Sequence, residues 1–161
     1  MTPDYIGITS NRLEHSIGVA RKCYELAKTE YEMSEEQARK MFLMGFIHDM
    51  GYEFTEDSTQ HPNVMGNIMD SVSTKDWHEI LFAIQTHGKP QKFIGTPEQA
   101  ILNEADLTIN HTGDSVSFEE RCENIRHRYG NQSHQYHNSL QMVEALRDYK
   151  ARNNAKHPGR G

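Results

Sequence analysis

Residues 41–54 read MFLMGFIHDMGYEF, so six apolar side chains lead straight into His48 and Asp49. An unpaired carboxylate removed from water costs on the order of several kcal/mol, so a fold that buries this run must supply a partner for Asp49. The run reads as a helix. Ser34 is a good N-cap, with Glu35, Glu36 and Gln37 in the first turn. The inward stripe is then Ala38, Met41, Phe42 and Gly45, followed by His48 with Asp49, so the doublet continues a core-facing line. Gly51 supplies the expected stop, and residues 52–60 form a polar, acidic loop.

The other segments are helical by the same criterion. From Arg12 to Tyr31, Leu13, Ile17, Ala20, Tyr24 and Ala27 form one line, and His15, Val19, Cys23 and Leu26 form a second. A helix apolar on two sides is expected to be central. His61-Pro62 opens a short helix through Met69. Lys75 to Thr86 carries Trp77, Ile80, Leu81 and Ile84, and its stripe runs on to His87 before Gly88-Lys89-Pro90. Thr96-Pro97-Glu98 starts a helix running to about Asn110, with Asp106 one turn after Leu102. Phe118–Tyr129, closed by Gly130, and Ser133 to about Arg152 complete the set. No credible strand pair emerges. The expected class is all-α, as a single compact helical bundle over residues 1–152 with its functional core at about 10–110, C-terminal helices at about 118–152 and a flexible tail at 153–161.

Composition narrows the function. A formal charge of -6 gives no electrostatic footprint for a nucleic-acid polymer. No apolar run is long enough to cross a bilayer, and residues 1–11 lack a signal-peptide pattern, so no membrane partner and a cytoplasmic location are expected. The two cysteines, Cys23 and Cys122, lie far apart within helices and lack a nucleophile-like context. No Walker-type loop or dinucleotide fingerprint is present. The basic cluster Arg121, Arg126, His127 and Arg128 reads as a solvated face because glutamates interleave with it. Met41, Met44, Met50, Met65 and Met69 read as core filler.

Ionisable groups recur on the apolar stripes: His15, the His48-Asp49 pair, His87, then Asp106, with His61 at a helix start. Four imidazoles and two carboxylates buried without compensation would cost on the order of ten kcal/mol, comparable to the whole stability of a domain. One or two divalent cations turn that liability into binding energy, because imidazole nitrogen and carboxylate oxygen suit iron, manganese, zinc and similar ions.

The order His15 in RLEHSIGVA, His48-Asp49, His61 in HPNVMG, His87 in THGKP and Asp106 in EADLTIN resembles the HD-domain superfamily of metal-dependent phosphohydrolases. The resemblance implies that His15, His48, Asp49 and Asp106 hold one metal. It also implies that His61 and His87 add a second, with Asp49 shared and catalytically essential. The metals would be iron, manganese or another transition metal. At the position three residues after Asp49, where many members have a lysine, this chain has Tyr52. Arg12, one turn before His15, and Lys89, just past His87, are the alternative phosphate contacts.

Two cations sharing Asp49 would hold a bridging water as hydroxide near neutral pH and neutralise charge on a phosphate ester or anhydride. The expected substrate is a nucleotide or similar small phosphorylated molecule, a dinucleoside polyphosphate among the candidates, and a homodimer is left open. Two other readings are a di-iron oxygenase on the same six ligands and a non-catalytic regulatory module that keeps metal for stability.

Overall fold

The computed structural model describes residues 10–50, 61–62, 77–89 and 94–156. The described residues form α1 (Ser10–Thr29), α2 (Glu35–Ile47), α3 (His78–Thr86), α4 (Pro97–Asp106), α5 (Phe118–Tyr129) and α6 (His134–Lys156). Among them the sole β feature is an isolated antiparallel bridge between Ile109 and Ser115. The chain is therefore all-α, as its periodicity requires. None of these helices is long and apolar enough to cross a membrane.

Local chemistry sets the helix starts. Ser34 accepts from the Gln37 amide, Thr96 from Gln99 and Ser117 from Glu120, each leaving acidic residues in the first turn. Pro97 follows Thr96 at the first helical position, where its missing N–H costs nothing.

The helices pack around α4. Every residue from Gln99 to Ala105 is buried. On one side Ile101, Leu102 and Ala105 join Val19, Cys23 and Leu26 of α1, Met41 and Met44 of α2, and Ile80 and Ile84 of α3. On the other, Ala100 and Leu107 join Cys122 of α5 and Met142, Val143 and Leu146 of α6. The central helix is thus α4 and not α1, whose Leu13 is 37% exposed; only its His15, Val19, Cys23, Leu26 line is buried throughout. Phe42 is likewise turned outward at 38% exposure, so the inward stripe of α2 is Ala38, Met41, Met44 and Gly45.

Two close approaches fix the helices near the histidines. A Cβ on Gly45 would lie 2.9 Å from Ala20 Cα and 3.0 Å from Cys23 Sγ, so α1 and α2 touch there at backbone distance. A Cβ on Gly18 would lie 2.7 Å from the Gly113 carbonyl oxygen, which lets the 109–115 loop rest on α1.

Several ends differ from the periodicity. α2 stops at Ile47 with His48 as its C-cap, ahead of Gly51. α4 stops at Asp106, where the chain turns into the 109–115 loop. α6 continues to Lys156, beyond the expected end near Arg152. Gly51, the 52–60 loop with Tyr52, the remainder of the Pro62–Met69 helix and Pro90 lie outside the described residues.

Candidate metal centre

His48 and His87 occupy equivalent places. Each is the C-cap of its helix, and each ring donates Nδ1–H to the carbonyl three residues back, His48 to Gly45 and His87 to Ile84, both at 2.6 Å. These bonds satisfy a terminal helix carbonyl and fix the ring, leaving Nε2 to point inward. His15, in mid-α1, uses the loop instead: its Nδ1–H goes to the Asn110 carbonyl at 3.0 Å. All three rings are buried, His48 completely.

The inward nitrogens meet two carboxylates. His15 Nε2 lies 2.9 Å and His48 Nε2 3.2 Å from Asp106 Oδ1. The two oxygens of Asp49 divide between histidine pairs. Oδ2 lies 3.2 Å from His48 Nε2 and 3.7 Å from His15 Nε2, whereas Oδ1 lies 3.0 Å from His61 Nε2 and 3.2 Å from His87 Nε2. His61 and His87 face each other through their Nε2 atoms at 3.0 Å. Two sets result, His15–His48–Asp49–Asp106 and Asp49–His61–His87, each compact enough to hold one ion. All six sequence-predicted ligands are brought together.

This donor set fits a metal. With Nδ1–H committed to a carbonyl, a neutral ring offers only a lone pair at Nε2. Lone pairs directed at carboxylate oxygens and at one another are repulsive unless a cation or a proton lies among them. Bonds of about 2.1 Å at right angles would put neighbouring ligand atoms about 3 Å apart, close to most of the spacings here.

The electrostatics are those of a site that wants positive charge. Burial opposes ionisation of Asp49, but His48, His61 and His87 outweigh it and hold the carboxyl well below the usual range. Burial opposes ionisation of Asp106 as well, and His15 and His48 outweigh it in the same direction. Burial works against a proton on His48, yet the flanking Asp49 and Asp106 raise its pKa well above the ordinary imidazole value. His87 is shifted down, first by burial and then by the charges of His48 and His61, against the pull of Asp49.

Sequence reasoning missed the scaffold beneath these ligands. Buried Asn103 accepts from the Gly88 amide at 3.0 Å and donates to the Gln99 carbonyl at 2.9 Å. Gln99 accepts from the Gly95 amide and donates to Thr86 Oγ1. Together they tie the end of α3, and hence His87, to α4. Gln99, Asn103 and Asp106 recur at helical spacing, a polar line beside the apolar Ile101, Leu102 and Ala105 that was visible in TPEQAILNEAD.

A cavity of ≈ 320 Å³ opens over Asp49, His61, His87 and Asp106. Its wall includes Lys89, whereas Arg12 is not among its lining residues. Arg121 and Arg128 of α5 also face it, as do His111 and His134. The α5 basic cluster is therefore split: Arg126 and His127 pair with Glu123 while Arg121 and Arg128 turn to the cavity.

A helical bundle with a His/Asp cluster on the floor of a cleft is a fold and a donor set that could hold a divalent metal. The chain belongs to the HD domain family, whose model matches residues 12–128. That family consists in general of metal-dependent phosphohydrolases, and its members bind divalent metals. Searches of curated proteins and of solved structures gave no match.

Proposed function

We propose that this protein is a dinuclear metal-dependent phosphohydrolase acting on a small phosphorylated, nucleotide-like substrate. The supporting observation is the division of Asp49, with Oδ2 serving the His15–His48–Asp106 set and Oδ1 the His61–His87 pair. A carboxylate used in this way suits two cations at once. When bound, such ions supply an activated water near neutral pH and stabilise charge on a transferring phosphoryl group.

The chain's own part is the geometry and charge of the site. Carbonyls of Gly45, Ile84 and Asn110 hold three rings in the ligating orientation. Asn103 fixes the turn after His87. The surrounding histidines keep the carboxylates ionised against their burial, and the cavity above has room for a substrate. Lys89, which lines the cavity, is our choice for the contact with a phosphate oxygen.

The test is a panel of nucleotides and dinucleoside polyphosphates with Mn²⁺- or Fe²⁺-loaded protein under argon. Hydrolysis without oxygen is expected, and it would eliminate the oxygenase alternative. Asp49→Ala should lose turnover and metal together, while His78→Ala, an exposed position, should change neither. An Asp49→Ala variant with full activity and unchanged metal would refute the assignment.

A further inference from the structure

α5 and α6 carry five arginines among the described residues, and their surroundings differ in a systematic way. Arg126 bonds to Glu123, Arg147 to Glu119 and Arg152 to Asp148. The two that line the cavity, Arg121 and Arg128, have no carboxylate partner among the described residues. In a chain of net charge -6, acidic partners are not scarce. Cations with no carboxylate partner among the described residues, set on one concave wall, suit an anion from elsewhere.

The geometry of each residue suits that use. Arg121 is half-buried and donates Nε–H to the Asp106 carbonyl at 3.2 Å, which anchors the guanidinium beside a metal-site residue. Its four remaining N–H groups have no protein acceptor among the described residues. Arg128 lies two turns further along the same helix face, its guanidinium 5.8 Å from the centre of the Tyr129 ring. Planar guanidinium groups bind phosphate and carboxylate in a paired, directional manner that a lysine cannot reproduce.

We infer that Arg121 and Arg128 form a second oxyanion subsite. The substrate then carries a negatively charged group, phosphate or carboxylate, in addition to the phosphate over the His/Asp cluster. The identity of that first group rests on the phosphohydrolase reading; the second subsite does not require turnover to be detected.

The experiment measures equilibrium binding to Mn²⁺-loaded protein, with hydrolysis followed separately. Three probes share one nucleoside: adenosine 5′-monophosphate, adenosine 3′,5′-bisphosphate and adenylosuccinate, whose extra charge is carboxylate. At least one doubly anionic probe should bind about tenfold or more tightly than the monophosphate, the size expected of one added charge-assisted contact. The bisphosphate and adenylosuccinate arms tell phosphate from carboxylate. In Arg121→Gln/Arg128→Gln that advantage should vanish while monophosphate binding changes less than about twofold, and Arg147→Gln, paired on the outer face, should retain it. The inference is overturned if neither doubly anionic probe outbinds the monophosphate, or if the preference survives the double substitution. Equal loss of all three probes also overturns it, since the arginines would then serve the fold or the first phosphate. Absence of turnover with the preference intact would count against the hydrolase reading alone.

Discussion

Gly45→Ala puts two opposing effects in competition at the site's narrowest joint. In isolation the change favours the helix, because alanine is about 1 kcal/mol better than glycine in a helix interior. Here the new methyl would sit 2.9 Å from Ala20 Cα, 3.0 Å from Ala20 N and 3.0 Å from Cys23 Sγ. Two of these three neighbours are backbone, so the strain is relieved only by moving α1 away from α2. Overpacking of this kind costs typically about 1–3 kcal/mol, which exceeds the propensity gain over most of that range. The net expectation is a loss of about 1 kcal/mol, the middle of a range of about 0–2 kcal/mol, or roughly 2–4 °C in melting temperature for a chain of this size. The same shift moves the Gly45 carbonyl that orients the His48 ring, so metal affinity should fall as well. Thermal melts in chelator isolate the packing loss, and melts in excess Mn²⁺ add the ligand effect, so the gap between variant and wild type should widen with metal. A variant as stable as wild type in chelator, with the same gain from Mn²⁺, would refute both the close approach and its link to His48.

Asn103→Ala should cost about 1–3 kcal/mol from its two lost hydrogen bonds, and should weaken the second equivalent of metal more than the first, because it loosens the turn after His87. Titration calorimetry with Mn²⁺ reads both; unaltered binding of the second equivalent would show that Asn103 does not position that ring. Lys150→Met strips the nearest cation, at 2.6 Å, from Glu104, a buried carboxylate whose pKa is raised by burial against the pull of Lys150. Because the folded-state pKa lies above the unfolded one, ionised Glu104 costs stability at neutral pH, and that cost is relieved as pH falls and the group takes up a proton. The variant should therefore lose about 1–3 kcal/mol near pH 7.5 and less at pH 5; a loss independent of pH would exclude Glu104 as its source.

The ligands were legible in sequence because metal chemistry restricts residue types and apolar helices restrict where they point. His15, His48 and His87 each end or lie on a buried line, and no bland partner in sequence accounted for all of them. The arginines of α5 were not legible. Arg–Glu spacing of three or four residues looks the same on a solvated face and on a helix with one face over a cavity. Only the position of α6 and the cleft separates Arg121 from Arg126. The centre of the bundle was misplaced for a related reason: Leu13 and Tyr24 follow helical spacing on α1, but apolar periodicity cannot tell a second buried face from an exposed rim. The end of α3 at Thr86 fell where the sequence put it, but that of α2 was hidden because histidine is not a usual stop signal, whereas here the His48 ring takes the last-turn carbonyl itself.

The measurement closest to the central claim is metal stoichiometry in purified protein reconstituted with Mn²⁺ and freed of excess ion. Wild type should retain two equivalents per chain, and His61→Ala and His87→Ala should each retain one, leaving the His15–His48–Asp49–Asp106 set filled. A wild type that retains none, or two equivalents kept undiminished in both variants, would contradict the account.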